Sequence, residues 1–252
     1  MIALVRRILV AAGLTATIAS AVLAVSLPAR GRTLVTWTAP HGRPAGVVLV
    51  IHGGAWRASG PRTVALMNDR ARTFAGWGWA AAVVDYRAFA DSPGDVARAY
   101  DAARERYPTL PICAYGESAG GHLALMLAVR RPLNCVIDAA GPVDLPRLGG
   151  TPQADWVRAK ALAAFGDLRD ASPTDHAAAI RAPVLAGYAA ADRIVPASQG
   201  RYLQRALPRA HVVQLGTGPG PRFVHARVPP AALRAWWGAV RAQLQRAARP
   251  RR

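Results

Sequence analysis

A chain of 252 residues, 52% of them hydrophobic, is long enough to bury one full α/β core and sits near the upper size for a single domain. Its formal charge of +18 would suit a polyanionic partner. The arginines are nevertheless spread thinly, Lys160 is the only lysine, and no nucleic-acid module is present, which excludes a nucleic-acid partner and leaves a solvated basic surface. Only the closing "RAARPRR", residues 246 to 252, concentrates charge in a way that would suit acidic lipid or a cell-surface polymer.

The first thirty residues are of a different kind. Arg6 and Arg7 precede twenty uncharged residues, Ile8 to Leu27, and a basic flank followed by an apolar segment addresses a chain to the membrane. Small residues at Ala21, Ala24 and Ala29 would serve a signal peptidase, while the length also reaches the roughly 20 residues that span a bilayer. Residues 1–31 therefore read as a cleaved signal peptide or an uncleaved N-terminal membrane anchor. Both readings export residues 32–248, to the periplasm, the medium or the outer face of the cytoplasmic membrane, and leave 249–252 as a basic tail.

Beyond Pro28, "RTLVTWTA" alternates like an edge strand, and "AGVVLVIHGG" (45–54) is a continuous apolar run ending on glycines, as strands buried on both faces are. A helical pattern covers 63–75 and a buried strand 80–87. Ser92 is the expected N-cap, with Pro93 at the first position, of a helix over 93–107. A strand and a helix flank Ser118, "NCVIDAAG" is a strand, and "APVLAGYAA" follows a helical insert. A helix near 197–207, the strand "AHVVQL" and a helix from about 229 to 248 complete the pattern. The alternation predicts a mostly parallel central sheet with helices on both faces, and functional residues at the carboxyl ends of its strands. Cys113 and Cys135 fall in neighbouring buried strands. An exported chain permits a disulfide there, but the expectation is two unbridged thiols acting as small apolar residues.

In "LPICAYGESAGGHLALML" (110–127) an apolar strand stops on Gly-Glu-Ser-Ala-Gly and resumes at once as an apolar helix. Gly116, Ala119, Gly120 and Gly121 supply the small residues that so sharp a corner needs, and Ser118 is left at its apex, at a helix N-terminus whose partial positive charge favours an oxyanion. "HGGAW" (52–56) likewise follows a buried strand. Further on, "AAADRIVP" (189–196) puts Asp192 just past a strand, with Asp138 and Asp144 as rivals at the end of the preceding one. Two histidines lie beyond Asp192. His211 opens a strand, at its amino end, whereas His225, in "PGPRFVHARVPP", lies between the last strand and the last helix.

The pattern Gly116-x-Ser118-x-Gly120 between strand and helix resembles the nucleophile elbow of the α/β-hydrolase superfamily. His-Gly-Gly-x-Trp resembles the motif of its esterase and lipase branches with hormone-sensitive-lipase-like architecture, nearest to carboxylesterase, feruloyl-esterase-like and arylformamidase relatives. Over roughly residues 32 to 248 the resemblance implies the α/β-hydrolase fold, with Ser118 as nucleophile, Asp192 as acid and His225 as base. It also implies an oxyanion hole from the backbone N–H groups of Gly53, Gly54 and Ala119, with His52 as a ring that pins the loop. The implied activity is hydrolysis of small or medium acyl or aryl esters through an acyl-enzyme, with a small-molecule ester as partner and no metal or organic cofactor. The flanks of His225 depart from the family's commonest surroundings. Residues 146–173 form an insert that in this fold follows the sixth strand and commonly makes a lid, here a short one whose Trp156, Leu162 and Phe165 suggest an apolar pocket. A serine peptidase of the same fold and a non-catalytic binding protein are the rival readings.

Overall fold

The computed structural model describes residues 34–215, 225–226 and 228–247. The N-terminal segment expected to direct export and the basic tail lie outside these residues. Among the described residues, no helix is long and apolar enough to cross a membrane.

Seven strands make one sheet: β1 (Leu34–Thr38), β2 (Val47–Ile51), β3 (Ala80–Asp85), β4 (Ile112–Glu117), β5 (Cys135–Ala139), β6 (Val184–Ala189) and β7 (His211–Leu215), in the order β1-β3-β2-β4-β5-β6-β7. Only β1 runs antiparallel, on β3 at the edge; every other pairing is parallel. The strands are apolar throughout because both faces are covered. Side chains alternate between them: Val47, Leu49 and Ile51 enter one core while Val48 and Val50 enter the other. On the first face pack α2 (Ser92–Arg106), α3 (Ala119–Arg130) and α5 (Ser198–Ala206). On the second pack α1 (Pro61–Gly76), through Met67, Ala71 and Phe74, and α6 (Pro230–Ala247), through Leu233, Trp236, Trp237 and Val240. Phe74 and Trp79 both meet the Trp237 ring edge to face, at 5.0 and 4.7 Å.

Two expectations are corrected. Cys113 and Cys135 are disulfide-bonded. They are register partners on adjacent parallel strands, 4.6 Å apart at Cα, and both point into the second core. Burial in neighbouring strands was the argument for free thiols, but register, which burial does not reveal, puts the sulfurs in contact. Ser92 does not cap α2. The 3₁₀ turn Phe89–Asp91 runs straight into the helix, so Ser92 already has helical φ −60° and ψ −40°, and its hydroxyl donates to Phe89 O at 2.6 Å. The insert follows β5 and holds α4 (Pro152–Phe165). Thr151 caps α4 by accepting from Ala154 N–H at 3.1 Å, and the same hydroxyl donates to the carbonyl of Arg193, next to Asp192.

Candidate active site

Ser118 sits between β4 and α3 with φ 54° and ψ −121°, a conformation that an L-residue holds only under constraint. The constraint is close packing. A Cβ on Gly120 would stand 2.2 Å from Ile51 O and 2.5 Å from His52 O, so only glycine lets the start of α3 press on the end of β2. Ser118 N–H donates to Ala139 O at 2.8 Å and Ser118 O accepts from His122 N–H at 3.1 Å, which ties the turn to β5 on one side and to its own helix on the other.

The side chains that follow form one chain of hydrogen bonds. His225 Nε2 lies 2.8 Å from Ser118 Oγ, and His225 Nδ1 lies 2.7 Å from Asp192 Oδ2. Asp192 Oδ1 accepts from the N–H groups of Ile194 and Val195 at 2.8 and 3.0 Å, so both carboxylate oxygens are held, and its side chain is fully buried. With Nδ1–H donating to Asp192, Nε2 is left bare toward the serine. The rivals are placed elsewhere. Asp144 binds Arg147, and Asp138 is spent on Gly141 N–H and Tyr188. His211 opens β7 opposite Leu185, at the strand's amino end.

The loop after β2 lies against the elbow. A Cβ on Gly53 would meet Glu117 O at 2.8 Å and Ser118 Cβ at 3.1 Å. Gly53, Gly54, Ala119, Ser118 and His225 all border one cavity of about 330 Å³. Its other walls include Leu66, Met67, Trp156, Val157 and Ile194. His52 faces away from Ser118's partners: its ring stacks on Tyr86 at 3.9 Å, its Nδ1 lies 2.7 Å from Gly53 O, and Tyr86 donates to His52 O at 2.9 Å. Burial lowers its pKa. Of the three insert aromatics and aliphatics, Trp156 reaches the cavity, Phe165 packs on Trp56 and His122, and Leu162 is exposed. Among the described residues, no group of three or more His, Cys, Asp or Glu is placed to hold a metal ion.

The BD-FAE family matches residues 37–207 of the 252. The chain belongs to that family. No match was found among curated proteins. Solved structures with the same fold include the thermophilic esterase Est2 of Thermogutta terrifontis, 22% identical with TM-score 0.63, covering 85% of this chain and 87% of that one. An acetyl ester-xyloside bifunctional hydrolase from Caldicellulosiruptor lactoaceticus is 15% identical with TM-score 0.65, covering 84% and 89%. An acylaminoacyl peptidase is 14% identical with TM-score 0.64, covering 84% of this chain and 39% of its own. At these identities the likeness is one of fold: the chain has the α/β-hydrolase fold.

Three groups about the site went unread in the sequence. Trp56, fully buried, donates from Nε1 to His122 Nδ1 at 3.1 Å, while His122 Nε2 lies 2.7 Å from Ala171 O. A carbonyl can only accept, so the proton sits on Nε2, and Nδ1 is free to take the indole N–H. Burial, opposed by the bond to Ala171, holds this histidine neutral with its pKa lowered to about 4. One ring thus joins the HGGAW loop, α3 and the end of the insert. On the other side of the elbow, Glu117 Oε1 accepts from Arg70 Nε at 2.9 Å and from the Tyr115 hydroxyl, and Arg70 Nη2 donates to Val228 O at 3.3 Å. Beneath it, burial raises the Asp138 carboxyl to about 7. The aromatic fifth residue of HGGAW was the one sequence signal for the first network, the Glu117–Arg70 pair had none, and Asp138 was noted only as a rival acid at the end of its strand.

Proposed function

We propose that the chain is an exported esterase that cleaves carboxylic esters through an acyl-enzyme on Ser118. The observation that carries the reading is the continuous hydrogen-bond chain from Ser118 Oγ through His225 to Asp192, opening onto a cavity bordered by Gly53, Gly54 and Ala119. His225 Nε2 takes the Ser118 proton as Oγ attacks the ester carbonyl, and Asp192 holds the resulting imidazolium. The carbonyl oxygen becomes an oxyanion facing the backbone N–H groups of Gly53, Gly54 and Ala119. His225 then protonates the departing alcohol. In the second half, water gives its proton to His225, attacks the acyl carbon and regenerates Ser118. A cavity of about 330 Å³ with mostly apolar walls suits a small or medium acyl or aryl group.

A panel of p-nitrophenyl esters of rising acyl length, with the matching p-nitroanilides, tests this. Turnover of short and medium esters with negligible anilide cleavage is expected. Anilide cleavage at a comparable rate would make the chain a peptidase, and no turnover of either would make it a binding protein.

Export is supported by Arg6, Arg7 and the uncharged segment behind them, and by the Cys113–Cys135 bridge, since disulfides persist in oxidising compartments. Fractionation should find the enzyme in the periplasm or medium, shortened near residues 22 to 31, or on membranes and open to protease added outside. Full-length soluble enzyme in the cytoplasm would overturn it.

A further inference from the structure

The overall charge of +18 plays no part in ester cleavage as described, and at the cavity it has a local counterpart. Among the described residues, two charged side chains border the cavity, Glu117 and Arg57. Glu117 is buried and matched by Arg70 at 2.9 Å, so it presents no net charge to a substrate. Arg57 is exposed and unmatched: among the described residues no carboxylate pairs with it, and the one hydrogen bond of its side chain runs from Nε to Gly54 O at 3.3 Å. Neither terminal amino group of its guanidinium has a hydrogen-bond partner among the described residues. The fork is anchored at the oxyanion loop, beside Gly54, with its Cζ 5.9 Å from the centre of the Trp156 ring. Lys160 places its Nζ 5.5 Å from the centre of that ring and likewise pairs with no described carboxylate. The nearby acids are engaged: Asp155 with Arg158 at 3.3 Å, Asp85 with Ser59 at 2.6 Å and Asp192 with His225.

From this arrangement we infer that the cavity selects esters carrying a carboxylate, which Arg57 binds while Trp156 covers the apolar part of the same group. This rests on the esterase reading and narrows it. A planar guanidinium with two free amino groups matches a carboxylate in a two-point contact that an ammonium cannot make, so Arg57 supplies the specificity. Lys160, one helical turn beyond Trp156, adds attraction that salt screens. The glycine loop fixes the base of Arg57 next to the reacting carbonyl. The substrate carboxylate therefore has to lie a few bonds from the scissile ester, on the acyl side or the alcohol side.

The test compares kcat/KM for p-nitrophenyl butyrate and the mono-p-nitrophenyl ester of glutaric acid, which carries its carboxylate on the acyl side. A second pair, phenyl acetate and 4-acetoxybenzoate, carries it on the alcohol side. In at least one pair, Arg57→Gln should lower the ratio of anionic to neutral kcat/KM about tenfold, equivalent to about 1.4 kcal/mol. Arg57→Lys should recover only part of it, Lys160→Gln should lower it two- to threefold, and 0.5 M salt should erase the Lys160 part first. Which pair responds tells the acyl side from the alcohol side. Both ratios unmoved in Arg57→Gln, with neutral esters still turned over, would overturn the inference and leave the esterase reading standing. If no ester at all were turned over, the esterase reading would fail. Calorimetric binding of 4-phenylbutyrate to wild type and to Arg57→Gln would then decide the carboxylate site alone, with equal affinity counting against it.

Discussion

The two halves of the site are held by different means. The small residues that shape the Ser118 elbow lie in one short motif, which then packs on distant backbone: Gly120 presses on the carbonyls of Ile51 and His52, and Ser118 N–H joins the strand ladder at Ala139. The described hydrogen bonds of the His225 ring all run to residues far from it in sequence. The ring is positioned by Asp192, 33 residues earlier, and Val228, three residues beyond it, is tied to α1 by Arg70 across 158 residues. The proposed nucleophile, shaped by a short motif, is most sensitive to change within that motif. The proposed base, held by distant contacts, can be displaced from afar.

The largest effect belongs to the local half. Ser118→Ala removes the nucleophile and little else, so hydrolysis of a short p-nitrophenyl ester should fall about a thousandfold or more with an unchanged far-UV spectrum. Retention of most activity would mean that the elbow does not carry the chemistry.

His225→Ala should come close to that loss, and Asp192→Asn should follow, because an amide facing Nδ1 no longer fixes the tautomer that leaves Nε2 bare. His211→Ala, at the amino end of β7, should change kcat/KM less than about twofold, as a surface substitution does. Wild-type turnover by His225→Ala with a dead His211→Ala would exchange the two.

What was legible follows the same division. Strands β2 to β6 were readable because burial on both faces makes each a nearly unbroken apolar run, and the meeting of Ser118, Asp192 and His225 because each follows a strand in a recognisable order. Pairings between distant residues were not. Trp56 and His122 are 66 residues apart, Arg70 and Glu117 are 47 apart, and nothing in the composition of either segment names its partner. The disulfide failed for a related reason: both strands were evident, but their register, Cys113 opposite Cys135, is a property of the folded sheet.

Arg70 shows how far the distant half reaches. Replacing it with Met would leave the buried Glu117 with only the Tyr115 hydroxyl, and stranding one member of such a pair costs about 3–5 kcal/mol. The double variant Arg70→Met/Glu117→Gln removes that uncompensated charge and should regain most of the stability. It should not regain the tie to Val228, so kcat should stay down by about tenfold, on the order of 1.4 kcal/mol, with KM little changed. If the double variant recovered kcat along with its melting temperature, Arg70 would serve the fold and not the placement of His225.

The smallest effect lies beneath the elbow, at Asp138, where the hydrogen bonds report a proton. The Tyr188 hydroxyl is 2.8 Å from both Asp138 Oδ2 and Gly141 O, yet it has one proton to give. All three atoms are satisfied when Asp138 is protonated and donates to Tyr188, which then donates to Gly141 O, while Asp138 Oδ1 accepts from Gly141 N–H. Burial, the largest influence on this carboxyl, raises its pKa from 3.8 to about 7, in agreement with that arrangement. Because the folded value is the higher one, the contribution of Asp138 to stability is complete below about 3.8 and is lost as pH rises through about 7. Asp138→Asn keeps the shape and offers Tyr188 an N–H at every pH. The variant should therefore gain stability relative to wild type as pH rises from 4 to 7, the interval over which folded wild type must hold a proton that the unfolded chain has already released. Chemical denaturation of both proteins across that interval measures the difference, and because other titrating groups are common to both, the difference isolates Asp138. A gap that stayed constant with pH would mean that Asp138 is already ionised at pH 4, and that a second carboxylate charge acts beside Asp192 on His225.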